Sequence, residues 1–331
     1  MNIYTENHSS FPKVDERLLL KKTLDKFDKG KLSWEGKEAE IRETKCRVVQ
    51  AQVSAGLDVV TDGMVRWQDE ISYLMPKFYG VELGGLSRWF DTNFYYRVPL
   101  IKSEVFVMPY TLSLKDSVEF PEINEKITKS IRKKLILTGP YTLAKMSINK
   151  GYKHFENLVY DLSMFMKIEI EYLISKGFIV QINEPAITKH PKDKSLFLSA
   201  MQKLFSNCDN FDKNIVLSTY FGGVEFMLKE LIQDVNCGSI SLDLVEGPNQ
   251  IEILKDLRID KDLHLGIMEA RTTKLEDCEY YAKWLFLFDK IGFKKDIYVG
   301  PNNGLEFLPW DKAESKLKNM IECVNEYKEK R

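Results

Sequence analysis

No apolar run in these 331 residues approaches the roughly eighteen that a membrane span needs, and the N-terminus carries no basic-then-apolar leader. Net charge is nearly missing as well, with 48 Lys and Arg against 49 Asp and Glu, so no field of one sign invites nucleic acid or an anionic membrane. Cysteine is sparse. Cys46, Cys208, Cys237, Cys278 and Cys323 are scattered without a CxxC pair, and His8, His154, His190 and His264 offer no spaced pair either. The expectation is free thiols in a reducing compartment, a cytoplasmic location and no zinc site of the common clustered kinds. A linker rich in Pro, Gly or Ser is absent too, so nothing in the composition divides the chain.

What stands out against these absences is Trp89-Phe90-Asp91-Thr92-Asn93-Phe94-Tyr95-Tyr96-Arg97-Val98-Pro99, which sets five aromatic rings beside an acid, an amide and a guanidinium. Rings offer large faces to a flat ligand or a cation. Trp89, Asp91, Asn93 and Tyr96 are therefore candidate cofactor-binding residues, the polar ones orienting what the rings hold. The competing reading is an amphipathic hairpin that packs on its own domain.

Short β-rich runs recur at 3–9, 57–62, 135–139, 178–183, 214–220, 239–244, 265–268 and 296–301. Segments of helical spacing separate them, such as Leu158, Leu162, Phe165, Met166, Ile170 and Leu173 before Gly177. Eight alternations predict a single (β/α)8 TIM barrel over residues 1–331, an α/β fold in which this length is ordinary. An open doubly wound sheet is the alternative, but no glycine-rich phosphate loop follows the first strand. Residues 63–134 are too many for a connection and must hold structure of their own over the C-terminal face. Within them, 94–97 and 104–108 read as the strands of a hairpin turning near 99–103.

Chemistry in such barrels is carried at the C-terminal ends of the strands. Ser10 follows the first strand, where a hydroxyl suits either a carboxylate or a helix cap. Asp62 and Arg66 follow the second, as substrate contacts or as a mutual salt bridge. The turn from Thr138 to Thr142 opens a helix whose free N–H groups could bind an anion. Asn183 and Glu184 end the fourth strand and Tyr220 the fifth; Asp243 and Glu246 follow the sixth, Glu269 and Arg271 the seventh, Asn302 and Asn303 the eighth. So many polar groups on one rim carry a desolvation cost that points to an enzyme.

These motifs resemble the cobalamin-independent methionine synthase family. Ser9-Ser10-Phe11-Pro12 is similar to its Gly-Ser-Phe-Pro start, Thr138-Gly139-Pro140-Tyr141-Thr142 to its Thr-Gly-Pro-x-Thr turn, Gln181-Ile182-Asn183-Glu184-Pro185-Ala186 to Gln-Ile-Asp-Glu-Pro-Ala, and 89–99 to its Trp-Phe-Asp-Thr-Asn segment. The family enzyme has two barrels, and its zinc-bearing one moves a methyl group from methyl-tetrahydrofolate to the sulfur of homocysteine. A single-barrel relative is implied here. The resemblance places Ser218, Tyr220, Asp243 and Asn303 where the family has its His, Cys, Glu and Cys zinc ligands. It likewise places Met64 and Asn183 where the family holds the substrate's amino group with acids, and Arg271 where it has a His.

The expectation is thus a zinc-independent methyltransferase using methyl-tetrahydrofolate or a related methyl-tetrahydropterin and an acceptor other than homocysteine. Protonating the donor's tertiary amine needs an acid, for which Asp243, Glu184 and Glu246 are the candidates. Ser10, Asp62, Arg66, Asn183, Tyr220, Glu269, Arg271, Asn302 and Asn303 are the candidate substrate contacts. Small-molecule substrates, with a homo-oligomer or a partner protein, complete the expected partners. The rivals are a single-barrel methionine synthase and a non-catalytic pterin-binding or partner protein.

Overall fold

The computed structural model describes residues 1–13, 20–67, 69–107, 131–206 and 212–331. Eight parallel strands form one sheet: β1 (Ile3–Thr5), β2 (Val59–Thr61), β5 (Arg132–Thr138), β7 (Ile179–Asn183), β8 (Ile215–Thr219), β9 (Ser239–Asp243), β10 (Asp262–Met268) and β11 (Ile297–Pro301). Each is paired with its chain neighbour in the series, and β1 pairs with β11. A bridge from Glu6 to Val59 closes the ring between β1 and β2. All eight strands fall where the sequence places them, as a (β/α)8 barrel. The signal is legible because each strand is buried on both faces and reads as a short β-branched run between breakers.

Helices α1 (Leu20–Asp28), α2 (Trp34–Ala55), α3 (Pro140–Lys145), α4 (Phe155–Ser175), α5 (Lys194–Leu204), α6 (Leu228–Asp234), α7 (Gln250–Lys255), α8 (Cys278–Lys290) and α9 (Trp310–Lys330) are those within the described residues. Among these residues no helix is long and apolar enough to cross a membrane. Helix α2 starts at Ser33, whose side chain accepts from the Gly36 amide at 3.2 Å, and stops at Gly56 in the left-handed region, φ 94°.

Two expectations need correction. Strand β4 (Tyr95–Phe106) runs unbroken through Pro99, and its antiparallel partner is β3 (Tyr79–Arg88), so the hairpin turn is residues 89–94 rather than 99–103. Glycines 80, 84 and 85 disguised β3, and Pro99 is tolerated beside the register shift between Leu83 and Leu86. Strand β6 (Ile148–Asn149) completes this second sheet, while Met108, read as the end of a strand, lies outside the described residues. Secondly, Cys278 and Cys323 form a disulfide, because packing of α8 on α9 brings their Cα atoms to 4.7 Å. Cys46 is a free thiol, Cys237 is buried, and Cys208 lies outside the described residues.

Inside the barrel Glu6 is gripped by Lys134 Nζ at 2.7 Å and by His264 Nδ1 at 2.7 Å, all three side chains being buried. Burial alone would raise the Glu6 carboxyl; His264 and Lys134 together overcome it and bring the group down to about 2. Stability from this carboxylate is therefore present above its ordinary pKa and lost as pH falls from there toward about 2. Glu6→Gln should cost about 3–5 kcal/mol in urea unfolding by stranding the Lys134 ammonium, and pairing it with Lys134→Met should recover most of that loss.

Candidate functional site

The C-terminal ends of the strands open under the β3–β4 turn. That turn is held by its own chain: the Trp89 amide donates to Phe94 O at 2.9 Å, and Thr92 Oγ1 donates to Trp89 O at 2.5 Å. Its rings reach two sides of the mouth. Phe90 meets Phe221 of the β8 loop at 5.2 Å between centroids, and Phe94 meets Phe307 of the β11 loop at 5.0 Å. Phe90 and Phe221, at φ 47° and 64°, both lie in the left-handed region, a costly conformation that tends to gather at functional sites. Tyr96 is buried beneath, donating to Met146 O at 3.2 Å, and Trp89 lines the cavity described below. Asp91 and Asn93 are exposed and do not line it, so their expected orienting role is not supported.

Most of the acids expected at the rim are consumed by the protein itself. Glu184 accepts from the amides of Tyr141 and Thr142, at 2.9 and 2.8 Å, and from Thr142 Oγ1 at 2.6 Å. The anion that the N-terminus of α3 was expected to bind is this carboxylate. Only glycine fits at 139, since a β-carbon there would lie 2.2 Å from Glu184 Oε1. Burial pushes the Glu184 carboxyl up to about 7, against the three donors. Asp243 accepts from the amides of Phe221, Val245 and Glu246 and from Asn302 Nδ2, at 2.9–3.1 Å. Its burial raises it to about 6. Neither lines the cavity, so neither is placed to protonate a donor there. Glu246 is ion-paired to Arg271, which also lies 4.0 Å from Glu269.

The Asp62–Arg66 salt bridge is also corrected. Arg66 makes a two-pronged pair with Glu38 at 2.8 and 2.7 Å, while Asp62 faces Lys45 at 3.7 Å and caps the Met64 amide at 3.0 Å. His8 links Ser9 Oγ at 2.9 Å to Ser218 Oγ at 2.8 Å, and burial drives its pKa down to about 3, so the ring is neutral.

A cavity of about 610 Å³ sits over the ends of β1, β2 and β11, lined by the rings of Trp67, Trp89, Phe94 and Tyr95 and by Ser10, Lys13, Glu70 and Glu306. Glu70 accepts from Tyr220 OH at 2.8 Å, Asn183 Nδ2 at 3.3 Å and Thr138 Oγ1 at 3.4 Å. Burial raises its pKa despite these donors. Burial, then the neighbouring Glu70 charge, pushes Glu306 up to about 7, with Lys13 opposing. Glu306 Oε2 is shielded from water without a hydrogen-bond partner, and so are Ser10 Oγ and both amide atoms of Asn303. These are the groups with bonding capacity to spare.

Sequence reasoning missed Glu70, Glu306 and Lys13, because each lies several residues beyond a strand end and carries no strand-end signal. Of the expected contacts, Ser10 and Arg66 line the cavity, Asn183 and Tyr220 reach it through Glu70, and Asn302 serves Asp243 and the Ala270 amide.

The positions that the resemblance assigns to zinc do not fit it. Ser218 Oγ is engaged by His8, Tyr220 OH by Glu70, and the Asp243 oxygens by four donors, leaving the amide of Asn303. That set has no thiolate or available imidazole. Among the described residues no three His, Cys, Asp or Glu are grouped to hold a metal ion.

Residues 4–326 match the family model described as "Cobalamin-independent synthase, Catalytic domain". A methionine synthase of Saccharolobus solfataricus is 26% identical over 306 residues, 92% of this chain and 89% of that protein. One of Sulfurisphaera tokodaii is 28% identical over 297 residues, 88% and 83% of the two chains. Among solved structures, a B12-independent methionine synthase from Shewanella sp. W3-18-1, in complex with selenomethionine, superposes with a TM-score of 0.81 at 19% identity, covering 100% of this chain and 99% of that one. This last likeness is one of fold. Glu184→Ala should lower stability by about 3 kcal/mol in thermal unfolding, because three buried donors lose their acceptor.

Proposed function

The chain belongs to the cobalamin-independent synthase family, and from that premise we propose that it is a methyltransferase acting at the barrel mouth. It takes a methyl group from a methyl-tetrahydropterin of the folate type and passes it to a small acceptor. The observation that carries this reading is the pairing of two carboxyls of raised pKa, the buried Glu70 and the half-buried Glu306, with the rings of Trp67, Trp89 and Tyr95 around one cavity.

A tertiary amine is a poor leaving group until protonated, and a carboxyl held near neutrality is matched to that task. The Glu70–Glu306 pair, rather than Asp243, Glu184 or Glu246, supplies the proton. Tyr220 and Asn183 fix Glu70 in place, and the rings stack on the pterin while excluding water.

The acceptor in this reading is not a zinc-held thiolate, since the described residues of the rim offer no donor set for that ion. A second reading, homocysteine as acceptor in a single-barrel methionine synthase, is favoured by the names of the relatives at 26% and 28% identity. Metal analysis of the purified protein, with assays of methyl-tetrahydrofolate consumption, separates the two. Substoichiometric zinc and chelator-insensitive demethylation support the first. Stoichiometric zinc with methionine formation establishes the second, and absence of any demethylation removes both.

Because the acid must hold its proton, donor consumption should fall as pH rises above about 7. Glu306→Gln, which cannot donate as an acid, should reduce kcat by about 10²–10⁴-fold, measured by steady-state kinetics.

A further inference from the structure

The cavity has a charge pattern that a neutral donor leaves unexplained. Among the described residues lining it are five acidic side chains, the exposed Asp25 and Asp28 with Asp69, Glu70 and Glu306, against two basic ones, Lys13 and Arg66. Arg66 is already paired with Glu38, and Lys13, which donates to the Trp67 carbonyl, sets its charge against Glu306, Asp69 and Glu70, offsetting part of that acidity. Ser10 Oγ and Glu306 Oε2 each lie 2.1 Å from where a β-carbon on Gly304 would sit, so these two unpartnered oxygens are close neighbours on the cavity floor.

Aromatic rings and unsatisfied oxygens around one cavity, with acidic side chains in excess among the described residues, suit an alkylated cation. Such an ion spreads its charge over methyl and methylene surfaces, which rings attract through their faces and carboxylates through charge. A divalent metal ion is a poorer match, because the described carboxylates are not grouped for coordination.

We propose that this cavity binds the methyl donor as a methyl-onium cation, a methylated ammonium or sulfonium centre, with Glu70 and Glu306 as counter-charge and the rings against the methyl groups. The inference rests on the methyl-transfer reading and names the state in which the donor is held. A tertiary amine becomes such a cation by taking the proton of the carboxyl pair, whereas a quaternary ammonium or a sulfonium arrives as one. In both cases the bond from methyl carbon to nitrogen or sulfur breaks with its electron pair left on that atom, and the acceptor's lone pair forms the new bond to carbon. With an amine donor the proton stays on the released secondary amine, and the acceptor's own proton restores the carboxyl. With a permanent onium donor the acceptor's proton passes through a carboxylate to solvent.

Calorimetric titration of the full chain with tetramethylammonium and trimethylsulfonium, with tert-butanol as the neutral isostere, tests the proposal. Both cations should bind and tert-butanol should not. Binding should weaken from about pH 8 to about pH 6, as Glu306, pushed up to about 7, takes on its proton. Glu70→Gln and Glu306→Gln should each weaken the cations about tenfold. Cations that bind no better than tert-butanol, or binding in the wild-type protein that ignores pH, would overturn the proposal, as would unchanged affinity in variants that melt like wild type. The pterin reading is judged separately. Consumption of methyl-tetrahydrofolate without cation binding sinks the cation site alone, while cation binding with transfer from trimethylsulfonium but none from methyl-tetrahydrofolate sinks the pterin donor alone.

Discussion

Glu6 is where the barrel closes and where its interior charge is balanced. Its backbone bridges Val59, joining β1 to β2, and its carboxylate holds Lys134 of β5 and His264 of β10 across the barrel. A buried ammonium without that partner would be untenable, and an open ring would leave two strand edges unpaired. The mouth depends on this closure. Only a closed ring brings the loops after β1, β2 and β11 together around one cavity, with Tyr220 and Asn183 beneath it.

The polar rim divides into two populations by hydrogen-bond capacity rather than by residue type. Glu184 and Asp243 look catalytic in sequence because they end strands, yet both oxygens of each already accept bonds from inside the protein. Glu184 anchors α3, and Asp243 ties the β8, β9 and β11 loops together. Glu70 and Glu306 differ in facing a cavity, with Lys13 as the cation set against the Glu306 charge. Burial raises all four pKa values, so a raised value alone does not mark chemistry. A carboxyl that borders a cavity with bonding capacity to spare does.

The turn at 89–94 joins these two aspects. Its aromatic composition signalled a binding element, and the fold gives it a position, with Phe90 and Phe94 touching the β8 and β11 loops and Trp89 facing the cavity. Its polar residues were read less well. Asp91 and Asn93 point to solvent, because a tight turn must expose some of its side chains whatever its neighbours contain.

The sequence by itself determined the eight strands, the barrel and the long interval after β2, since strand patterning depends on residues within one short segment. The family resemblance was legible for the same reason, being carried by short motifs at strand ends. Only the tertiary structure decided which partners the charges take. Arg66 chose Glu38 over Asp62, Glu184 took the amides of α3, Cys278 found Cys323, and Glu70 met Tyr220 150 positions away. Those choices turn on ångström distances between residues far apart in the chain, which closing the barrel sets and local pattern does not record.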